Sequence, residues 1–194
     1  MSENEKALPS PFTPIDQSLF ESRNIFLNGL VNNELAHRIN RELLAMDRAD
    51  SSQPIKLWIN SPGGEVYSGF AIYDMIQFIE ADVITIVSGT AASMGSVIAL
   101  AAEKENRLAF ANSKFLLHQP LIGGTIQGPA SDIEIHAKDI IELKHKMFRL
   151  YSERTGTSET IFKEMMERDR WIQPDEAIKL GLISKIVSKK EDIL

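Results

Sequence analysis

An α/β fold with mainly parallel strands is predicted for this chain by two observations. Short apolar runs of strand length alternate with longer stretches of helical period, unit after unit. The central run, VITIVS at 83–88, has no polar break beyond Thr85 and so reads as a buried strand. A chain of 194 residues is long enough for one domain with a sizeable core.

The elements follow in order. Residues 1–18 hold Pro9, Pro11 and Pro14 and no steady apolar period, so they read as an extended or mobile arm before a single domain at 19–194. NIFLNGL, 24–30, is a short strand, and Asn32 is placed to cap a helix over 34–47. A strand over 54–60 and a helix over 66–79 come next, then the buried strand at 83–88. A helix over 93–102 and a strand over 114–118 continue the alternation.

The longest helix is predicted over 132–154. At about 100° per residue, Ile133, Ala137, Ile140, Ile141, Met147, Phe148 and Tyr151 form one stripe. Ile135, Leu143 and Leu150 fall outside it. A helix apolar on more than one side is usually buried on more than one side, and a second subunit is the natural cover in so short a chain.

Composition narrows the function. The formal net charge is -6, which argues against nucleic acid as a partner. The absence of cysteine excludes disulfides, thiolate catalysis and cysteine metal sites. The N-terminal residues MSENEKALPSPFTP do not form a signal peptide, and no apolar run approaches the roughly 20 residues that span a bilayer. A cytoplasmic location, away from membranes, is the expectation.

Four segments carry residues of chemical interest. SGTAASMGSVIAL, 88–100, sets Ser93 among small residues where a strand gives way to a helix. Unpaired N–H groups at such a helix start favour nearby negative charge. The strict G-x-S-x-G elbow is absent, because Ala91 stands at its first glycine, and a serine that merely caps a helix is the plain alternative. INSPGG, 59–64, is a glycine turn able to aim N–H groups into a cleft, or just a turn. FLLHQP, 115–120, ends an apolar run in His118; histidine titrates near neutrality and suits a general base. His37, His136 and His145 are assigned to solvated helix faces. ERDRW, 167–171, contains Asp169 in a run of alternating charge, where pattern alone gives no reason to prefer it over other acids.

INSPGG, GxAASMGS, HQP and RDR, in this order and spacing, resemble the ClpP family, the proteolytic subunits of ATP-dependent Clp proteases. IYDMIQFI, SERTG and EAIKLGLI are also similar, so the likeness runs from about Asn24 to Val187. The resemblance implies a ClpP/crotonase-like head of repeated β-α units, with a handle helix projecting over about 122–154. It implies a serine endopeptidase with Ser93 as nucleophile, His118 as general base and Asp169 as the acid that orients the imidazole. Gly64 and Met94 match the backbone N–H groups of the family's oxyanion hole, and Glu167 and Arg168 match positions that link its rings. The implied assembly is two stacked seven-membered rings, of this chain or mixed with another ClpP chain. No cofactor or metal is implied.

No G-x-x-x-x-G-K-[ST] phosphate loop occurs, so an AAA+ unfoldase is the implied partner for supplying unfolded polypeptide, docking where Trp58 matches an aromatic position. Two departures from the family pattern stand out. The arm lacks the usual basic-and-tyrosine stretch, and 121–131 is about two residues longer than usual. They point to a divergent paralogue, and to an alternative function as a weakly active or scaffolding ring subunit that needs a second ClpP chain. A crotonase-type acyl-CoA enzyme would not need Ser93, His118 and Asp169 together.

Overall fold

The computed structural model describes residues 13–121, 123 and 127–193. Helix α1 (Pro14–Glu21) precedes strand β1 (Asn24–Asn28), α2 (Asn33–Ala49), β2 (Ile55–Ser61), α3 (Val66–Phe78) and β3 (Val83–Ala92). Then come α4 (Met94–Ala99), β4 (Arg107–Phe110), β5 (Lys114–Leu117), α5 (Ala130–Thr155) and α6 (Glu159–Met165). Strand β6 (Arg170–Ile172), α7 (Pro174–Lys179) and β7 (Lys185–Val187) complete the chain.

The predicted α/β architecture is present. Strands β1-β2-β3-β4-β7 form one sheet in that order, every pair parallel. β3 forks: Thr85–Val87 pair with β4, whereas Thr90–Ala92 pair with β5. β6 then adds to β5 antiparallel. A register shift between Ile59 and Ser61 accommodates the fork. The Asn60 side chain fills it by accepting from the Thr90 N–H at 3.1 Å.

The arm read from the sequence over 1–18 is corrected from Pro14 onward, where the chain is helical. Thr13 Oγ1 accepts from the Asp16 N–H at 3.2 Å, and Asp16 accepts from the Thr13 N–H at 3.1 Å. Proline in the first turn suits this capping box. Residues 1–12 of that arm lie outside the described residues. Asn32 does cap α2, accepting from the Leu35 N–H at 2.9 Å.

Alternation along β2 divides the interior. Ile55, Leu57 and Ile59 face the main core with Ile39 and Leu43 of α2 and Ile72 of α3. Trp58 faces the other way, into a small cluster with Ile86, Leu108 and Val187. There it stacks on Phe26 and contacts Phe110, while its indole N–H donates to Asn24 at 2.7 Å.

Helix α5 has 26 residues, about 39 Å of rise. Only Met147, Phe148, Tyr151 and Thr155, near its C-terminal end, are buried. Ile133, Ile135 and Ile141 stay exposed, so the described residues cover neither apolar side of the first half. Gly156, at φ 78°, stops the helix in a left-handed cap.

Among the described residues, one charged side chain sits in the core. Arg107, 2% exposed, donates to the carbonyls of Ala102 at 2.8 Å and Arg154 at 2.7 Å, with Gly181 at 3.4 Å. It ties the segment after α4 to the end of α5 and the turn after α7. Burial first, then the neighbouring Arg154 charge, lowers its pKa to about 10, so it stays charged at neutral pH. Arg107→Met is expected to cost about 4 kcal/mol, because it strands the Arg154 and Gly181 carbonyls that accept from a charged donor, while Ala102 O keeps Arg154. Thermal unfolding should show Tm falling by roughly 10 °C; a shift under about 2 °C would contradict this role.

Candidate active site

Ser93 lies at the junction of β3 and α4 with φ 51° and ψ -122°. Among the described non-glycine residues only Arg23 and Ser93 have positive φ. Such a conformation costs on the order of 1–3 kcal/mol and persists only when its surroundings enforce it. Here they do. The Ser93 N–H donates to Leu116 O at 2.9 Å, and the Ser93 carbonyl accepts from Ser96 Oγ at 2.6 Å. Although Ser93 stands at the cap position of α4, its side chain makes no capping hydrogen bond. The plain reading of a helix-capping serine therefore fails.

The glycine turn packs directly on this elbow. A Cβ on Gly63 would fall 2.6 Å from Ala92 O, 2.7 Å from Ser93 Cβ and 2.9 Å from Met94 N. Only a residue without a side chain permits that approach. Gly64, at φ 150°, forms a parallel bridge with Val31. In that bridge Val31 donates to Gly63 O and accepts from the Glu65 N–H, both at 2.8 Å, so the Gly64 N–H is not used in pairing. The Met94 N–H, in the first turn of α4, has no helical acceptor either. Buried Ser61 clamps the turn by donating to Gly29 O at 2.6 Å and accepting from the Gly63 N–H at 3.0 Å. The sequence offered Ser61 only as part of a turn; its two partners depend on the folded path of the chain.

Strand register sets the other two residues. Ala92 pairs with Leu116, so His118 stands just beyond the end of β5, on the strand that holds Ser93. Leu117 pairs antiparallel with Arg170, which puts His118 opposite Asp169. His118 Nδ1 and Asp169 Oδ1 are 4.0 Å apart, longer than a hydrogen bond. The His118 side chain is 16% exposed and that of Asp169 72%. No hydrogen bond joins Ser93 Oγ to His118 among the described residues. Such bonds are often long or misaligned in unliganded sites. A cleft of about 370 Å³ opens here, lined by His118, Gln119, Leu121 and Met166–Asp169.

Glu167 and Arg168 sit on the same loop. Gln119 Nε2 donates to Glu167 O at 3.2 Å, Lys144 lies 3.4 Å from the Glu167 carboxylate, and Arg168 projects outward. Trp58 lies away from this cleft on the other face of the sheet. His37, His136 and His145 are exposed on helices, as the sequence predicts.

Comparison with known proteins gives a consistent picture. A family model described as Clp protease matches residues 11–190. An ATP-dependent Clp protease proteolytic subunit 2 from Treponema denticola is 45% identical over 91% of this chain and 88% of its own length. A proteolytic subunit 3 from Rhizobium meliloti is 44% identical over 92% and 90%. A solved point mutant of ClpP1 from Listeria monocytogenes superposes with a TM-score of 0.85 at 36% identity, covering 93% of this chain and 99% of that one.

Proposed function

The chain belongs to the Clp protease family, and from that premise we propose that it is a serine endopeptidase subunit with Ser93 as nucleophile. The observation that carries the proposal is the strained Ser93 elbow. Its hydroxyl makes no hydrogen bond among the described residues, and the Gly63–Gly64 turn lies against it.

In this reading Ser93 Oγ attacks the scissile carbonyl carbon while its proton passes to the imidazole of His118. The Gly64 and Met94 N–H groups donate to the oxyanion, each donor worth roughly 3–4 kcal/mol of barrier. The C–N bond breaks, His118 returns the proton to the leaving amine, and water activated by His118 hydrolyses the acyl-enzyme. Asp169 holds the imidazole once the 4.0 Å gap has closed by about 1 Å.

The relatives' names include an ATP dependence, and an AAA+ unfoldase is the partner proposed to deliver unfolded polypeptide. Its docking site is assigned to the sheet face that carries Trp58. Nearby, Phe26 borders an open cleft of about 1040 Å³ between α1, β1 and α2. The exposed apolar half of α5 is assigned to stacked rings, with Glu167 and Arg168 at the ring–ring contact.

The loose His118–Asp169 pair favours a second reading, a weakly active or scaffolding subunit that requires another ClpP chain. Hydrolysis of short fluorogenic peptides by the purified chain separates the two. Turnover by the chain alone supports the first reading, and turnover only after mixing with a second Clp proteolytic subunit supports the second. If the mixture's turnover comes wholly from the added subunit, the peptidase proposal falls.

A further inference from the structure

Ser93 is held at both ends: its N–H donates to Leu116 O, and its carbonyl accepts from the Ser96 N–H at 3.0 Å, the Val97 N–H at 3.3 Å and, at the shortest distance, the Ser96 hydroxyl, one of a buried pair of hydroxyls. Ser96 Oγ lies 2.6 Å from Ser93 O, 3.5 Å from Leu116 O and 2.7 Å from Tyr151 Oη. Ser96 and Tyr151 are both buried, Tyr151 completely. A hydroxyl carries one proton and two lone pairs. Carbonyls only accept, so the Ser96 proton goes to its shortest carbonyl partner, Ser93 O. Ser96 Oγ is then left as an acceptor, and Tyr151 must donate to it. Burial pushes the Tyr151 pKa up, which keeps that proton in place.

The direction of the chain is therefore fixed: Tyr151 O–H to Ser96 Oγ–H to Ser93 C=O. It joins the buried end of α5 to the first turn of α4, across 55 positions of sequence. The opposite end of Ser93 is tied to β5 by its N–H. With N–H and C=O both anchored, the positive φ cannot relax toward a commoner conformation, and the hydroxyl keeps its aim beside Gly63.

We propose that Ser96 and Tyr151 are positioning residues for the nucleophile, a buried hydroxyl relay that acts through the Ser93 carbonyl to hold the strained elbow. The inference deepens the peptidase reading and rests on it for its kinetic readout. Neither residue touches substrate, so the effect should fall on the acylation rate and not on KM.

Three variants distinguish positioning from simple packing. Ser96→Ala leaves the Tyr151 hydroxyl buried without a partner, and Tm should drop by roughly 3–10 °C. Ser96→Ala combined with Tyr151→Phe removes both polar groups, and Tm should return to within about 2 °C of the native chain. Tyr151→Phe alone leaves Ser96 donating to Ser93 but no longer fixes the direction of that hydroxyl, so Tm should change little while acylation slows several-fold.

Acylation by a small fluorophosphonate should not follow stability. In the double variant it stays roughly 10- to 100-fold slow, the scale on which a misplaced reacting group costs rate. A double variant that regains both Tm and the native acylation rate would overturn the proposal.

If the native chain is not labelled at all, the peptidase reading fails separately. The crystal structure of the double variant then decides the positioning role. Ser93 departing from positive φ supports it, and Ser93 retaining φ near 51° overturns it.

Discussion

Ser93→Ala is expected to lower peptide kcat by a factor on the order of 10⁶ while leaving Tm within about 1 °C. The two halves of that result come from the same observation. The hydroxyl makes no capping bond and no other hydrogen bond among the described residues, so the fold does not lean on it. If its role is nucleophilic attack, removal leaves only the oxyanion donors and substrate positioning, a small remainder of catalysis. A structural serine behaves in the opposite way, with stability lost and activity falling only in proportion. Measuring kcat and thermal unfolding on the same preparation separates the two; a variant that is destabilised yet active would show that Ser93 belongs to the architecture.

Gly63→Ala should be nearly as damaging without removing any catalytic atom. At φ 88° a side chain is strained whatever the space around it, and here there is none. The added carbon meets the backbone at Ala92 O and Met94 N, neither of which can swing aside like a flexible side chain. Relief requires the turn to back away from the elbow, which carries the Gly64 N–H out of reach of an oxyanion. Loss of one such donor costs roughly 10²–10³ in kcat, and Met94 shares the displaced contact. We therefore expect at least a hundredfold loss, with Tm lower by several degrees. Retention of more than a tenth of native activity would show that the turn does not build the oxyanion site.

How much of this was legible beforehand depends on how local the cause is. Asn32 announces the helix it caps, Gly156 marks the end of the long α5, and the helix over 66–78 is read from its run of apolar residues, all properties of neighbouring residues. Thr13-Pro14 with Asp16 carried a capping signal too, but prolines nearby made the segment read as extended. β3 was expected to end at Ser88 and instead continues to Ala92. Its last residues, Gly89-Thr90-Ala91-Ala92, have no strand-like pattern and are held by β5. The three-residue strands β6 and β7 exist only because the sheet supplies a partner.

The site divides along the same line. Ser93 and Gly63-Gly64 could be picked out by small residues beside a polar one. Asp169 could not, since its claim comes from the antiparallel register that sets it opposite His118. Arg107 is a buried charge that no local pattern in the sequence marks, and carbonyls from distant segments accept its donors. Ser96 and Tyr151 each looked ordinary alone; only their meeting in the core gives them a role.

The most direct test of the account is to treat the native chain with a fluorophosphonate and locate the adduct by peptide mass mapping. One modified residue, Ser93, is expected, with labelling lost when the chain is unfolded first, because reactivity depends on the folded elbow and its donors. No adduct on Ser93, either alone or with a second Clp proteolytic subunit present, would contradict it, as would labelling that is no faster than in the unfolded chain.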